Sequence, residues 1–254
     1  AAVNTSTAKA IEDRGLKPAL QPRVDLKQLE EGKDVEFEVV IEVLPEIGKL
    51  DFSGVELERL KAEGRFEGQI VPLGDATRDE GPREPNWEKI RSLPTLTPGG
   101  RLTAACASQI SDGSAALLIA NEAAVKAHGL RPRARIHHMS VLADDPIMML
   151  SAPIPATKRA LAKTGMSIDD IDLVEINEAF AAQVIPSARQ LGIEWDKLNV
   201  NGGSIALGHP FGMTGARIMT TLINGLQFED KTYGLESMCV GGGQGMAMII
   251  ERLS

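Results

Sequence analysis

Hydrophobic and polar positions fall into two regimes along the chain. Within "DVEFEVVIEVLP" (34–45), Val35, Phe37, Val39, Ile41 and Val43 alternate with Glu36, Glu38 and Glu42. That period of two predicts a half-buried antiparallel strand. Ahead of it a short helical pattern ends near "EDRG", where Gly15 serves as a C-cap, and "PRVDLKQL" follows. "PEIGKLDFSG" supplies a turn or short loop before "GVELERL". Residues 1–62 therefore read as a small α+β segment. Residues 63–100 are rich in Gly, Pro and charge, which predicts an extended loop or linker with one short helix near Trp87–Arg91.

From residue 101 the period changes repeatedly. "SDGSAALLIANEAAVKA" predicts a helix over 111–127, apolar in its first turns and capped by Ser111 or Asp112. "ARIHHMSVLA" predicts a strand, "IPATKRALAKTG" a helix stopped at Gly165, and "DIDLVEIN" a second strand. In "EAFAAQVIPSARQL", Phe180, Val184, Ala188 and Leu191 mark one helical face, with Pro186 kinking or tightening it. Met213, Ala216, Met219, Leu222, Ile223 and Leu226 mark another, and "GLESMCVG" and "GMAMIIERL" close the chain as strands. This alternation predicts a layered α/β domain over 101–254, a mixed sheet with helices on both faces.

Composition narrows the function. The 254 residues suffice for one large domain or two small ones. A net charge of −8 argues against nucleic acid or an anionic membrane as the main partner. No stretch approaches the roughly 20 apolar residues of a membrane span. "SAALLIANEAAV" comes nearest and is broken by Asn121 and Glu122. No secretory signal is read. Two cysteines, Cys106 and Cys239, give no disulfide framework, so a cytoplasmic setting is expected. The absence of an initiating Met raises the expectation of a fragment.

Three motifs carry candidate chemistry. In "NVNGGSIALGHPFGMTGAR" (199–217), His209 lies between Gly208 and Pro210, just before a helix whose positive end favours an anion nearby. The reading is a catalytic base; the other is a structural histidine in a tight turn. In "MCVGGGQGMA" (238–247), Cys239 precedes Gly241, Gly242 and Gly243, whose N–H groups can converge as an oxyanion hole or anion nest. The other reading is a buried cysteine before a glycine bulge. In "VEINEAFA", Asn177 ends a strand and either orients a water or carbonyl, or caps the following helix. His137 and His138 alternate across a strand, so a shared metal is not expected, and no zinc-ligand spacing occurs. Cys106 reads as a packed thiol.

In order and spacing, "NEAFA", "NVNGGSIALGHPFGMTG" and "MCVGGGQGMA" resemble the C-terminal half of a thiolase, with "LTAACASQISDGSAALL" and "DPIMMLSAPIPATKRAL" matching the stretches before them. The resemblance covers residues 65–254. It implies a thiolase-like half with a mixed sheet, an acyltransferase of lipid metabolism, and C–C bond cleavage or formation between acyl-coenzyme A thioesters. Acyl-CoA and coenzyme A would be substrates, with no further cofactor. By this resemblance His209 is the base that activates a nucleophilic cysteine. With a water held by Asn177 it also lines one oxyanion hole. Cys239 exchanges the α-proton of the acetyl group, the Gly241 N–H serves the other hole, and Ser108, Met149 and Phe180 meet the coenzyme A arm. The nucleophilic-cysteine block is absent. Cys106 stands where the family has asparagine, and Ala105 and Gln109 replace glycines.

Residues 1–62 resemble the second half of the bacterial trigger factor N-terminal domain, without its ribosome-docking loop. A truncated, fused or chimeric chain is therefore expected. The alternatives to a partial enzyme are a non-catalytic CoA-binding scaffold or a ribosome-associated chaperone fragment. Exposed apolar helix surface predicts a homo-oligomer, or a requirement for the N-terminal thiolase half.

Overall fold

The computed structural model describes residues 2–15, 23–28, 36–40, 64–66 and 68–253. Contacts divide the chain into Ala1–Val55 and Glu56–Ser254. In the first unit, α1 (Ala2–Asp13) ends before Gly15, whose φ of +59° supports the expected cap. Strands β1 (Arg23–Gln28) and β2 (Glu36–Val40) pair antiparallel, with a register shift between Leu26 and Gln28. The strand expected over 34–45 is thus seen in its centre. The turn at 45–54 and the segment "GVELERL" lie outside the described residues.

In the second unit, α2 (Trp87–Ser92) is the one short helix expected in the long loop. Its first turn is held by Asn86, whose Oδ1 accepts from the Lys89 N–H at 2.9 Å. Then follow α3 (Glu122–His128), β3 (Ala134–Ala143), α4 (Pro153–Thr164), β4 (Leu173–Ile176), α5 (Ala181–Leu191), the single-turn α6 (Ser204–Leu207), α7 (Thr214–Phe228), β5 (Tyr233–Val240) and β6 (Gln244–Arg252). The sheet order is β3-β6-β5-β4, with β4 parallel to β5 and the other pairs antiparallel. The sheet is mixed, as the alternation predicts.

Side-chain alternation assigns the two faces of this sheet. Val174 and Ile176 of β4, Leu235 of β5, and Ala247 and Ile249 of β6 pack with Ala156 and Ala160 of α4 and with Val184, Ala188 and Leu191 of α5. Leu173 of β4 and Ile250 of β6 point the other way, onto Met219, Leu222 and Leu226 of α7. Helices therefore cover both faces. β3 and the outer end of β6 lie beyond α7 and leave Met139, Val141 and Met246 exposed.

The helix expected over 111–127 forms only at its end, as α3. Its cap is Asn121, whose Oδ1 accepts from the Ala124 N–H at 2.9 Å, and Gly129 at φ +59° closes it. Residues 107–121 run without regular structure apart from one bridge, Ala107 to Phe180. The cause is local competition. The Gln109 backbone carbonyl accepts from the His209 N–H at 3.0 Å, and its side chain donates to the carbonyls of Ile205 and Ala206 at 3.1 and 2.8 Å. Gly113 runs against Pro210 and Met213. These ties hold the segment extended, and Leu118 and Ile119, 83% and 73% exposed, find no covering surface that would reward a helical turn.

Candidate active site

Three segments meet at the end of the β4/β5 pair. β4 stops at Ile176, and the next residue, Asn177, continues the ladder by donating its N–H to the Ser237 carbonyl at 3.0 Å. The segment 199–208 lies over this end. Asn199 clamps it there, donating from Nδ2 to the Ile176 carbonyl at 3.0 Å while its Oδ1 accepts from the Ile176 N–H at 2.8 Å. Glu178 adds a second clamp. Its Oε1 accepts from Asn199 Nδ2 at 2.8 Å and its Oε2 from the Ile205 N–H at 3.0 Å, at the start of α6.

A chain of side-chain hydrogen bonds runs through the enclosed space. Arg217 Nη2 donates to Ser204 Oγ at 2.8 Å, and Ser204 Oγ donates to Asn177 Oδ1 at 2.6 Å. Asn177 Nδ2 lies 3.3 Å from His209 Nε2, and His209 Nδ1 lies 2.6 Å from Thr214 Oγ1. Thr214 Oγ1 donates to the Pro210 carbonyl at 2.9 Å. These contacts favour one tautomer. With the Thr214 proton on Pro210, Thr214 Oγ1 offers a lone pair to Nδ1, an arrangement that suits a hydrogen on Nδ1. Nε2 is then the bare nitrogen, facing an amide N–H. Burial, and secondarily the Arg217 charge, push the His209 pKa down, so the neutral base is the favoured form. Phe211 packs edge-on against the ring, with centroids 4.9 Å apart.

Cys239 sits on β5 one strand from Asn177, at the same end of the sheet. It pairs with Gly245 in the β5/β6 ladder, and burial raises its thiol pKa. By alternation its side chain starts on the α4/α5 face, whereas Asn177 follows the α7 face. The structure bonds His209 to Asn177 directly. Among the described residues no hydrogen bond joins Cys239 to either of them. Gly241 opens the turn that follows, with Gly242 and Gly243 at φ +84° and +81°. Cys106 is tied locally, its Sγ donating to the Thr103 carbonyl at 3.1 Å.

Of the expected coenzyme A contacts, Ser108 and Phe180 adjoin each other. The Ser108 N–H bonds the Ala179 carbonyl at 3.1 Å, beside the bridge from Ala107 to Phe180. Met149 lies apart from them in the loop after β3, at φ +52°, and that loop packs on Gly243. A cleft of about 330 Å³ opens beside the histidine, between residues 111–115 and 210–213.

Four site residues had no place in the sequence reading. Ser204 and Arg217 extend the hydrogen-bond chain. Glu175 and Glu236 face each other across β4 and β5 on the α7 side. Burial, opposed by Arg217, pushes both carboxyl pKa values up to about 8. One oxygen of each, and Arg217 Nη1, are enclosed without a hydrogen-bond partner. The only signal for them in the sequence was a glutamate inside the apolar run "LVEI".

A family model described as "Thiolase, C-terminal domain" matches residues 130–252, and one described as "Thiolase, N-terminal domain" matches 57–123. The chain belongs to the thiolase family over residues 57–252. The steroid 3-ketoacyl-CoA thiolase of Mycobacterium tuberculosis is 56% identical over 194 residues, covering 75% of this chain and 48% of that protein. The acetyl-CoA acetyltransferase of Escherichia coli is 47% identical over 201 residues, covering 75% and 51%. Among solved structures, the Bacillus anthracis acetyl-CoA acetyltransferase superposes with a TM-score of 0.73 at 42% identity, over 78% of this chain and 52% of that one. The human mitochondrial 3-ketoacyl-CoA thiolase in complex with CoA gives 0.71 at 38%, over 78% and 52%. The chain spans about half the length of the curated thiolases it matches.

Residues 1–65 match a family model described as "Bacterial trigger factor protein". The thiolase match begins at 57, near the unit boundary after Val55 and ahead of the expected join at 62. The stretch 57–123 is thus similar to the thiolase N-terminal domain, where the sequence reading placed a linker and the start of a C-terminal domain.

Proposed function

We propose that residues 57–252 carry the base, the amide and the second cysteine of a thiolase acyl-transfer site for acyl-CoA thioesters. The observation that carries this reading is the placement of the His209 ring, with Nε2 3.3 Å from Asn177 Nδ2 and Nδ1 2.6 Å from Thr214 Oγ1, in surroundings that favour its neutral form. A base in that state takes the proton from a thiol that attacks an acyl carbonyl. Asn177, directly or through a water, and His209 are assigned to one oxyanion hole, and the Gly241 N–H to the other. Cys239 is assigned the α-proton exchange, and Ser108, Met149 and Phe180 the coenzyme A arm.

Within these 254 residues the only cysteines are Cys106 and Cys239. On this reading neither is the attacking thiol, so acyl transfer requires a thiolate from outside these 254 residues, as an N-terminal thiolase half would supply. The reading places this chemistry in the cytoplasm, in lipid metabolism, within an oligomer or a complemented enzyme. A second reading, a CoA-binding scaffold, draws on the same missing nucleophile. The trigger-factor match over 1–65 supports a ribosome-associated role for that segment alone.

The test is thiolysis of acetoacetyl-CoA with coenzyme A. The expected outcome is no turnover by the chain alone and turnover when an N-terminal thiolase half is added, falling about 10²–10⁴-fold in His209→Ala. Turnover by the chain alone, with an acyl group trapped on Cys106 or Cys239, overturns the reading. Coenzyme A binding without complementation of activity favours the scaffold.

A further inference from the structure

We propose that Ser204 is a positioning residue for this site: its hydroxyl, held by the Arg217 guanidinium, locks the Asn177 amide so that Nδ2–H faces His209. The proposal rests on the acyl-transfer reading for its purpose, but its test reads the histidine ring and needs no turnover.

The arginine end sets the direction of the chain. Arginine only donates, so Ser204 Oγ accepts from Arg217 Nη2 at 2.8 Å and has its proton free for Asn177 Oδ1 at 2.6 Å. With Oδ1 so engaged, the amide turns its nitrogen toward His209. A flipped amide would leave the Ser204 proton in the protein interior with no acceptor. It would also set Oδ1 against Nε2 and require a hydrogen there. With Nδ1 donating to Thr214, that arrangement is the imidazolium; with the Thr214 hydroxyl turned from Pro210 to Nδ1, it is the other neutral tautomer. Burial and the Arg217 charge both oppose that cation.

Ser204 and Asn177 are fully enclosed, at 0% and 1% exposure, so no bulk water substitutes for the missing bond. Arg217 is flanked by the carboxyl groups of Glu175, Glu178, Asp79 and Glu236. The chain thereby links Arg217 to the histidine through one hydroxyl and one amide. The Ser204→Ala variant would keep the fold of α6 and lose the selector for the amide.

The experiment is nitrogen-15 NMR of the histidine rings in the full chain, with His209 assigned by its loss in His209→Gln among the four histidines. In the unsubstituted chain, the expected result is the tautomer with hydrogen on Nδ1. A hydrogen on Nε2 of the neutral ring overturns the proposal without any further variant. In Ser204→Ala, the His209 pKa is expected to rise by about 0.5–1 unit as the amide gains freedom to present Oδ1 to the imidazolium. Ser204→Thr, which keeps the hydroxyl, is expected to restore it. A purely structural Ser204 would change melting temperature but not the ring, so an unchanged tautomer and pKa in Ser204→Ala overturns the proposal. Failure of acetoacetyl-CoA thiolysis on complementation would count against the acyl-transfer reading and leave this ring measurement untouched.

Discussion

The two glycine-rich loops at the end of the sheet are built by opposite means. The histidine loop is filled. Gly208, at φ +85°, abuts Ser111, and His209 is bonded at both ring nitrogens. The turn after Cys239 is open at Gly241 and Gly242. Gly242 has almost the same φ, +84°, and nothing lies within 4 Å of where its Cβ would be. One loop fixes a base by hydrogen bonds and packing. The other leaves space around Gly241 and Gly242. On the proposed reading, preorganisation takes two forms in one site: a hydrogen-bonded network around the base, and open space at the turn assigned a backbone donor.

The largest separation between the loops is expected in stability. Gly208→Ala adds strain at a glycine-only conformation and overlap with Ser111, so it is expected to cost about 2–5 kcal/mol. Gly242→Ala carries only the strain, about 1–3 kcal/mol. Chemical denaturation of the two variants measures the difference, and equal losses would break the contrast.

A smaller effect sharpens the filled side through pH. Glu175 and Glu236 have folded pKa values of about 8, above the ordinary 4.5, so the folded chain binds more protons than the unfolded one. Their contribution is fully present below pH 4.5 and is lost as pH rises through about 8. The loss is up to about 1.4 kcal/mol per pH unit for each group. Glu236→Gln mimics the protonated acid and is expected to flatten this decline between about pH 5 and 8, as measured by denaturation across that range. His209 has the opposite sign, since its folded pKa lies below 6.5. It adds a loss of stability as pH falls below 6.5, absent in His209→Gln.

The smallest effect belongs to the open side. Burial raises the Cys239 pKa, so its thiolate is scarce near neutrality. Alkylation by iodoacetamide at about pH 7.5 is expected to run several-fold slower than that of a free small thiol and to steepen with pH. A faster reaction would mean that the loop activates this cysteine.

Much of this fold was legible because each element solves its own burial problem. β3 and α4 follow their patterns closely, with Gly165 at φ +71° closing α4 as expected. The stretch 107–121 was not legible. A run such as "AALLIA" satisfies a helix or an extended chain equally, and the choice came from Gln109 bonding to Ile205 and Ala206, 96 and 97 positions away. At the site, His209 and Asn177 stood out through their glycine and strand-end settings. Ser204, Arg217, Glu175 and Glu236 did not, since their meaning depends on strand register and on which side of α7 faces the sheet.

The turn carrying Gly241 has one further tie. The Gly243 carbonyl accepts the Asp144 N–H at 2.7 Å, and a Cβ on Gly243 would come 2.7 Å from the Asp145 carbonyl oxygen. The loop bearing Met149 is therefore fastened to the turn bearing the Gly241 N–H. Drift in the length of one loop cannot be absorbed by that loop alone. Across diverging descendants, residues 144–151 and 241–243 should change together or not at all, so that the two loops are inherited as a single trait.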